Sequence, residues 1–121
     1  MMQDGTYRTR IDALDYHHDD DREDIIAHCR LLDGRRWDIR LPMPKRGPGR
    51  HLAHEFLRSM TDRMPIDPLL KARDYQQAID LLRLEEEWFQ MLFDVQQTTD
   101  KNGFHRYIVV DRYSGDTRVV R

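Results

Sequence analysis

The chain has 121 residues, of which 39% are hydrophobic and 35% charged, and its mean hydropathy is −0.84. This length is typical of one domain with one apolar core, so we predict a single domain over residues 1–121. No apolar run approaches the roughly 20 residues of a membrane-spanning helix, and residues 1–5 lack the layout of a signal peptide. We therefore expect a cytoplasmic protein with no membrane contact.

The first predicted element is a strand at Thr6–Asp12, where apolar or neutral side chains alternate with charged ones. The segment Asp15–Asp24 that follows is acidic and contains almost no apolar residue. We expect this segment to be an exposed connection.

Two alternating runs between Ile25 and Leu41, separated by Asp33-Gly34, predict a β-hairpin. A loop of only two residues would place apolar side chains opposite charged ones. A three-residue loop with Gly34 in the left-handed conformation aligns the apolar positions instead, pairing Leu31 with Arg35, Cys29 with Trp37, Ala27 with Ile39 and Ile25 with Leu41. The opposite face is then charged and displays His28, Arg30, Arg36, Asp38 and Arg40.

A loop and two helical segments are predicted next. Pro42–Arg50 is rich in proline and glycine and is expected to be a loop. Apolar residues at every fourth position predict an amphipathic helix over residues 50–64. Asp67-Pro68 supplies an N-cap and a first-turn proline for a second helix, which either runs to about Gln97 or is broken at Ala72–Asp74.

The apolar segment Trp88–Val95 is expected to form the buried centre of this second helical region. Asp100–Gly103 ends it, and the runs Phe104–Asp111 and Thr117–Arg121 predict a second hairpin. The predicted fold class is α+β: an antiparallel sheet of about five strands, made of the N-terminal strand and two hairpins, with two or three helices packed on one face.

Motifs for catalysis, metals and cofactors are absent from the sequence. His17 and His18 precede a run of acids, and His51, His54 and Glu55 lie on a predicted helix, but neither spacing matches a metal site. The single cysteine, Cys29, is expected in the core. We predict no catalytic residue, no metal and no cofactor, and rank a hydrolase-like enzyme third among the possible functions.

Two charge clusters are the candidate binding sites. The net charge is −2, but acids dominate residues 12–24 and bases dominate residues 35–50. For protein binding the candidates are Asp19, Asp20, Asp21, Glu23 and Asp24, whose carboxylates resemble a row of phosphates and would occupy a basic cleft. For nucleic-acid binding they are Arg36, Arg40, Lys45, Arg46 and Arg50.

We predict from these features a non-enzymatic protein that binds another protein as an inhibitor or regulator. Small polar domains of this kind are common in phages and mobile elements, so the expected partner is a bacterial nucleic-acid-handling or defence complex. The alternative is a small regulator that binds nucleic acid through the basic loop at residues 45–50.

Overall fold

A computed structural model of the chain describes residues 2–44, 49–61, 66–86 and 91–113. In chain order the elements are β1 (Gly5–His18), β2 (Glu23–Leu31), β3 (Arg36–Pro42), α1 (Arg50–Ser59), α2 (Asp67–Lys71), α3 (Tyr75–Glu86), β4 (Leu92–Thr99) and β5 (His105–Tyr113). The strands form one antiparallel sheet in the order β3-β2-β1-β4-β5. An α+β fold with a five-stranded antiparallel sheet and three helices in the described residues confirms the predicted class.

The β2–β3 hairpin has the register expected from its apolar pattern. Cys29 lies opposite Trp37, and the pairing continues in step along both strands. Gly34 has a φ of 92°, a left-handed conformation that glycine adopts without a steric penalty. The Leu31 amide donates to the Arg35 carbonyl at 2.9 Å and closes the three-residue loop. The predicted bulged register is confirmed.

The two faces of this hairpin differ as predicted. The side chains that share a face with Cys29 and Trp37 are buried in the core against the helices, and we call this the inner face. On the other side, the outer face, charged side chains are wholly or partly exposed: His28, Arg30, Arg36, Asp38 and Arg40.

The prediction of an exposed connection at Asp15–Asp24 is wrong. β1 continues to His18 and β2 begins at Glu23, so only residues 19–22 form the turn of a second, longer hairpin. Leu14 and Ile25 contribute apolar side chains to the inner face, Asp15 and Asp24 lie on the outer face, and Asp19–Arg22 form the turn. Glu23 is the acid that faces inward, where it pairs with Arg50. Alternation with the acids on the outer face allows a strand despite the low apolar content.

The predicted helix end is also wrong in position, because residues assigned to the helix form a strand. Leu92–Thr99 is the strand β4, in which Phe93, Val95 and Gln97 are buried at every second residue. Its hairpin partner is β5, reached through a turn at residues 100–104. The run Thr117–Arg121 and residues 88–90 lie outside the described residues.

The helices follow the alternative in which the second helical segment is broken. α2 ends at Lys71 and α3 begins at Tyr75, and Arg73 between them has a φ of 58°. The residue before the first turn of α2 is Ile66, so Asp67 lies within that turn and does not cap it. α1 ends at Ser59, before the predicted end at residue 64, and residues 62–64 of the predicted helix fall outside the described ranges. Among these helices none is long and apolar enough to cross a membrane.

Candidate functional site

The two edge strands of the sheet, β3 and β5, approach each other on the inner side without pairing. Trp37 of β3 and Tyr107 of β5 place their ring centroids 6.1 Å apart. A cavity of about 690 Å³ lies beside them, and its walls include Trp37, Leu41, Leu52, Phe104, His105 and Tyr107. We call this cavity the β3 groove. Its volume lies within the range of natural ligand-binding clefts.

The backbone of β3 presents hydrogen-bonding groups to its unpaired edge. Leu31 pairs with Arg35 and the Met43 amide donates to Glu23, so the odd-numbered residues of β3 bond to β2. In an antiparallel ladder the alternate residues point the other way. The amides of Arg36, Asp38 and Arg40 therefore point to the free edge. The remaining even-numbered residue of β3 is Pro42, which has no amide to offer there.

The other edge of the sheet, β5, forms hydrogen bonds with α1. Ser59 accepts a hydrogen bond from the Val109 amide of β5 at 2.9 Å. The Glu55 carboxylate of α1 accepts two hydrogen bonds from the guanidinium group of Arg106 on β5. This pairing lowers the pKa of Glu55. α1 is thus fixed to β5, whereas the edge of β3 has no strand partner among the described residues.

The predicted acidic site is divided by the fold. Asp19, Asp20 and Asp21 form the exposed tip of the β1–β2 hairpin, and Asp21 lines one end of the β3 groove. Asp19 accepts hydrogen bonds from His17 and from the backbone amides of Asp21 and Arg22. These bonds lower the pKa of Asp19 to about 2, with the His17 contact contributing most. Asp19 is therefore anionic at neutral pH.

Glu23 and Asp24 point away from solvent. Glu23 is bound by Arg50 at 2.7 Å, and its side chain is only 9% exposed. Asp24 is fully buried on the outer face and pairs with Arg22 at 3.0 Å and Arg40 at 2.9 Å. Both carboxylates are thus occupied by arginines of the same chain.

The predicted basic site is divided in the same way. Arg50 is largely buried in its pair with Glu23, and Arg40 is exposed but bound to Asp24. Arg36 is exposed on the outer face. Lys45 and Arg46 lie outside the described residues. The sequence clusters of opposite sign therefore meet and partly neutralise each other.

A chain of polar side chains connects α1 to β1, β2 and α3 beneath the groove. Arg50 donates to the Tyr75 hydroxyl at 2.8 Å as well as to Glu23, and His54 lies 2.8 Å from the same hydroxyl. Burial raises the pKa of Tyr16 to about 12, helped by its hydrogen bond to Glu23. Burial also lowers the pKa of His54. This network fixes the start of α1 at the groove wall.

The remaining residues considered for chemistry have structural partners. His18 stacks on Tyr16, with ring centroids 6.1 Å apart, and Cys29 is 2% exposed. Burial raises the pKa of the Cys29 thiol to about 12, so it stays protonated at neutral pH. Within the described ranges no three histidine, cysteine, aspartate or glutamate side chains are grouped to hold a metal ion.

The β3 groove itself was missed in the sequence because its walls come from distant segments. Trp37 and Tyr107 are 70 positions apart in the sequence. The position of β5 in the sheet depends on its pairing with β4, and the sequence analysis had assigned β4 to a helix. Comparison of the chain with models of known families, with curated proteins and with solved structures found no match.

Proposed function

We propose that this chain is a non-enzymatic protein-binding module that accepts an extended segment of another protein as an added strand along β3. The observation that carries the proposal is the unpaired β3 edge, whose amides at positions 36, 38 and 40 point away from β2, beside a cavity lined by residues of both β3 and β5. Strand addition of this kind uses backbone hydrogen bonds for affinity and side-chain pockets for specificity.

The groove walls define the chemistry of the segment. Trp37, Leu41, Leu52 and Tyr107 offer an apolar wall, so every second residue of the bound segment would be apolar. The anionic tip at one end, Asp19–Asp21, favours lysine or arginine at the corresponding end of the segment. Opposite charges at the rim of an interface mainly accelerate association.

A regulatory or inhibitory role against a bacterial nucleic-acid-handling or defence complex remains the prediction from sequence for the partner's class. The alternative, nucleic-acid binding through the loop at residues 45–50, also stays a prediction. Among the five candidate residues for that binding, Arg36, Arg40, Lys45, Arg46 and Arg50, the side chain of Arg50 is largely buried against Glu23.

The test selects peptides from a phage-displayed library of random sequences and measures how tightly the enriched peptides, once synthesised, bind the purified chain. We expect the enriched peptides to have apolar residues at alternate positions and lysine or arginine at one end. On binding, amide hydrogen exchange should slow at positions 36, 38 and 40. Enrichment of no peptide, or protection confined to another surface, would contradict strand addition.

A matched pair of variants separates the backbone contribution from the side chain. Arg40→Pro removes one free-edge amide, while Arg40→Ala loses the same guanidinium but keeps the amide. Both variants retain the ion pair between Arg22 and Asp24. We expect Arg40→Pro to weaken peptide binding at least about tenfold, the loss expected for a well-formed hydrogen bond, and Arg40→Ala to stay near wild type. Equal binding by the two variants would overturn the proposed geometry.

The acidic tip is tested by Asp20→Lys and Asp21→Lys together, since Asp19 is needed for the turn. This double variant should slow association with a basic-ended peptide and reduce the salt dependence of the association rate. Glu23 is left unchanged because its replacement would disturb Arg50. An unchanged association rate would remove the tip from the binding site.

A further inference from the structure

Three arginines form a row across adjacent strands on the outer face of the sheet. The register places Arg10 of β1 opposite Arg30 of β2, and Arg30 opposite Arg36 of β3. Their neighbours Ile11, Cys29 and Trp37 are buried on the inner face, so the three arginines share the outer face. Neighbouring strands are about 4.8 Å apart, and the row therefore spans roughly 10 Å.

The row is electrostatically unfavourable in the isolated protein. Like charges directly opposite each other on neighbouring strands destabilise a sheet. Arg30 has a 3.4 Å contact to Asp12, but Arg10 and Arg36 have no ion pair with any described residue. The two arginines without an ion pair to a described residue therefore lie at the two ends of the row, on β1 and β3, with Arg30 between them.

Three acids around the row pair with bases outside it, whereas Asp12 pairs with Arg30 of the row itself. Asp33 binds Arg35 at 2.7 Å, Asp94 binds Arg8 at 2.9 Å and Asp38 contacts His28 at 3.1 Å. These pairs leave the row a local excess of positive charge although the whole chain carries −2. This excess is produced by the strand register, because positions 10, 30 and 36 are separated in sequence.

We propose that the row of Arg10, Arg30 and Arg36 binds the phosphate backbone of a nucleic acid. Guanidinium groups form two-pronged hydrogen bonds with phosphate oxygens. A nucleic-acid strand carries about one charge per 3.4 Å of helix axis, so a row of roughly 10 Å spans about three phosphates. Contacts to phosphate position a protein without selecting sequence. The side chains of this row lie on the outer face, whereas Trp37 and Leu41 of the β3 groove lie on the inner face, so phosphate binding by the row does not require an added strand.

The experiment measures fluorescence polarisation of labelled single-stranded and duplex DNA, each of about 20 nucleotides, titrated with the full chain between about 50 and about 200 mM salt. The test variant is Arg10→Gln with Arg36→Gln, since neither residue has an ion pair with a described residue to lose. The matched control is Lys71→Gln with Arg83→Gln, which removes the same charge from exposed positions on α2 and α3.

We expect the wild type and the control to bind at low salt and the test variant to bind at least about tenfold more weakly. The slope of log affinity against log salt should fall by about 2 in the test variant, near one per lost phosphate contact. Circular dichroism melts of all three proteins establish that the fold is retained.

Three results would overturn the assignment. These are absence of binding at about 50 mM salt, an equal loss in the test and control variants, and displacement of DNA by polyglutamate as effectively as by unlabelled DNA of equal charge. The last would show that the row binds acidic polypeptides in general.

Discussion

Glu23 of β2 and Arg50 of α1 form a 2.7 Å ion pair with side chains only 9% and 14% exposed. In sequence they belong to clusters of opposite charge, 27 positions apart. In the fold they join the sheet to the first helix at the edge of the β3 groove. Because both charges are largely removed from water, each depends on the other for compensation.

Arg50→Met should destabilise the protein by about 3–5 kcal/mol, because it leaves the Glu23 carboxylate buried without its cation. Glu23→Gln with Arg50→Met should recover part of this loss, since no uncompensated charge remains. Urea unfolding of the single and double variants measures both quantities. A single-variant loss below about 1 kcal/mol would show that this pair behaves as a surface ion pair.

Glu23 should also contribute to the acid sensitivity of folding. Burial raises its pKa, but hydrogen bonds from Tyr16 and Arg50 outweigh burial and lower the pKa below the ordinary 4.5. A lowered pKa means that the stabilisation is present above pH 4.5 and is lost as the pH falls through the folded-state pKa. The difference in unfolding free energy between wild type and Glu23→Gln should therefore shrink as the solution is acidified. A difference that is constant between pH 7 and pH 3 would contradict this assignment.

Trp37 is 7% exposed and contacts Tyr7, with ring centroids 5.3 Å apart, and Tyr107. Trp37→Ala should cost about 3–5 kcal/mol, the range for deleting a core aromatic. Leu32→Ala in the same hairpin, where Leu32 is 59% exposed, should change stability by less than about 0.5 kcal/mol. Thermal and urea denaturation compare the two variants. Equal effects would show that Trp37 does not anchor the inner face.

The Cys29–Trp37 pairing was predictable because a single hairpin with one glycine loop allows few registers, and only one aligns the apolar residues. The β1–β2 hairpin was not predictable by the same reasoning. Its turn, Asp19–Arg22, contains no glycine, and β1 contains a bulge between Ile11 and Ala13 that changes which residues face inward. The Arg10–Arg30–Arg36 row depends on that bulged register and so escaped the sequence analysis.

The strand β4 was assigned to a helix because the apolar residues Leu92, Phe93 and Val95 are compatible with either a short buried strand or a buried helix. Short apolar runs do not distinguish the two structures by period alone. The buried Gln97 is the informative residue, since it extends the alternation of Phe93 and Val95 and donates to the Met2 carbonyl at 2.8 Å. A polar residue with a partner 95 positions away leaves no local signal in the sequence.

Removing divalent metals should leave the melting temperature unchanged. His17 is engaged with Asp19, and His54 with Tyr75, so these rings are used in protein contacts and are not grouped as ligands. The chain is expected to melt at the same temperature with and without a chelator such as EDTA. A clear decrease on chelation would reveal a structural metal.

His28 lies between two carboxylates of neighbouring strands on the outer face. Its Nε2 is 2.7 Å from Asp15 and its Nδ1 is 3.1 Å from Asp38. Both nitrogens can donate only when the ring is protonated. Burial lowers the pKa of His28, but the two carboxylates outweigh it and raise the pKa above 6.5.

The raised pKa of His28 predicts a stabilisation that is complete below pH 6.5 and is lost as the pH rises through the folded-state pKa. His28→Gln should therefore destabilise the protein more at pH 5.5 than at pH 8.5. Urea unfolding at both pH values measures this. NMR titration should also show a lower His28 pKa in Asp15→Asn and in Asp38→Asn. An unchanged pKa in both variants would mean that the carboxylates do not hold the imidazolium.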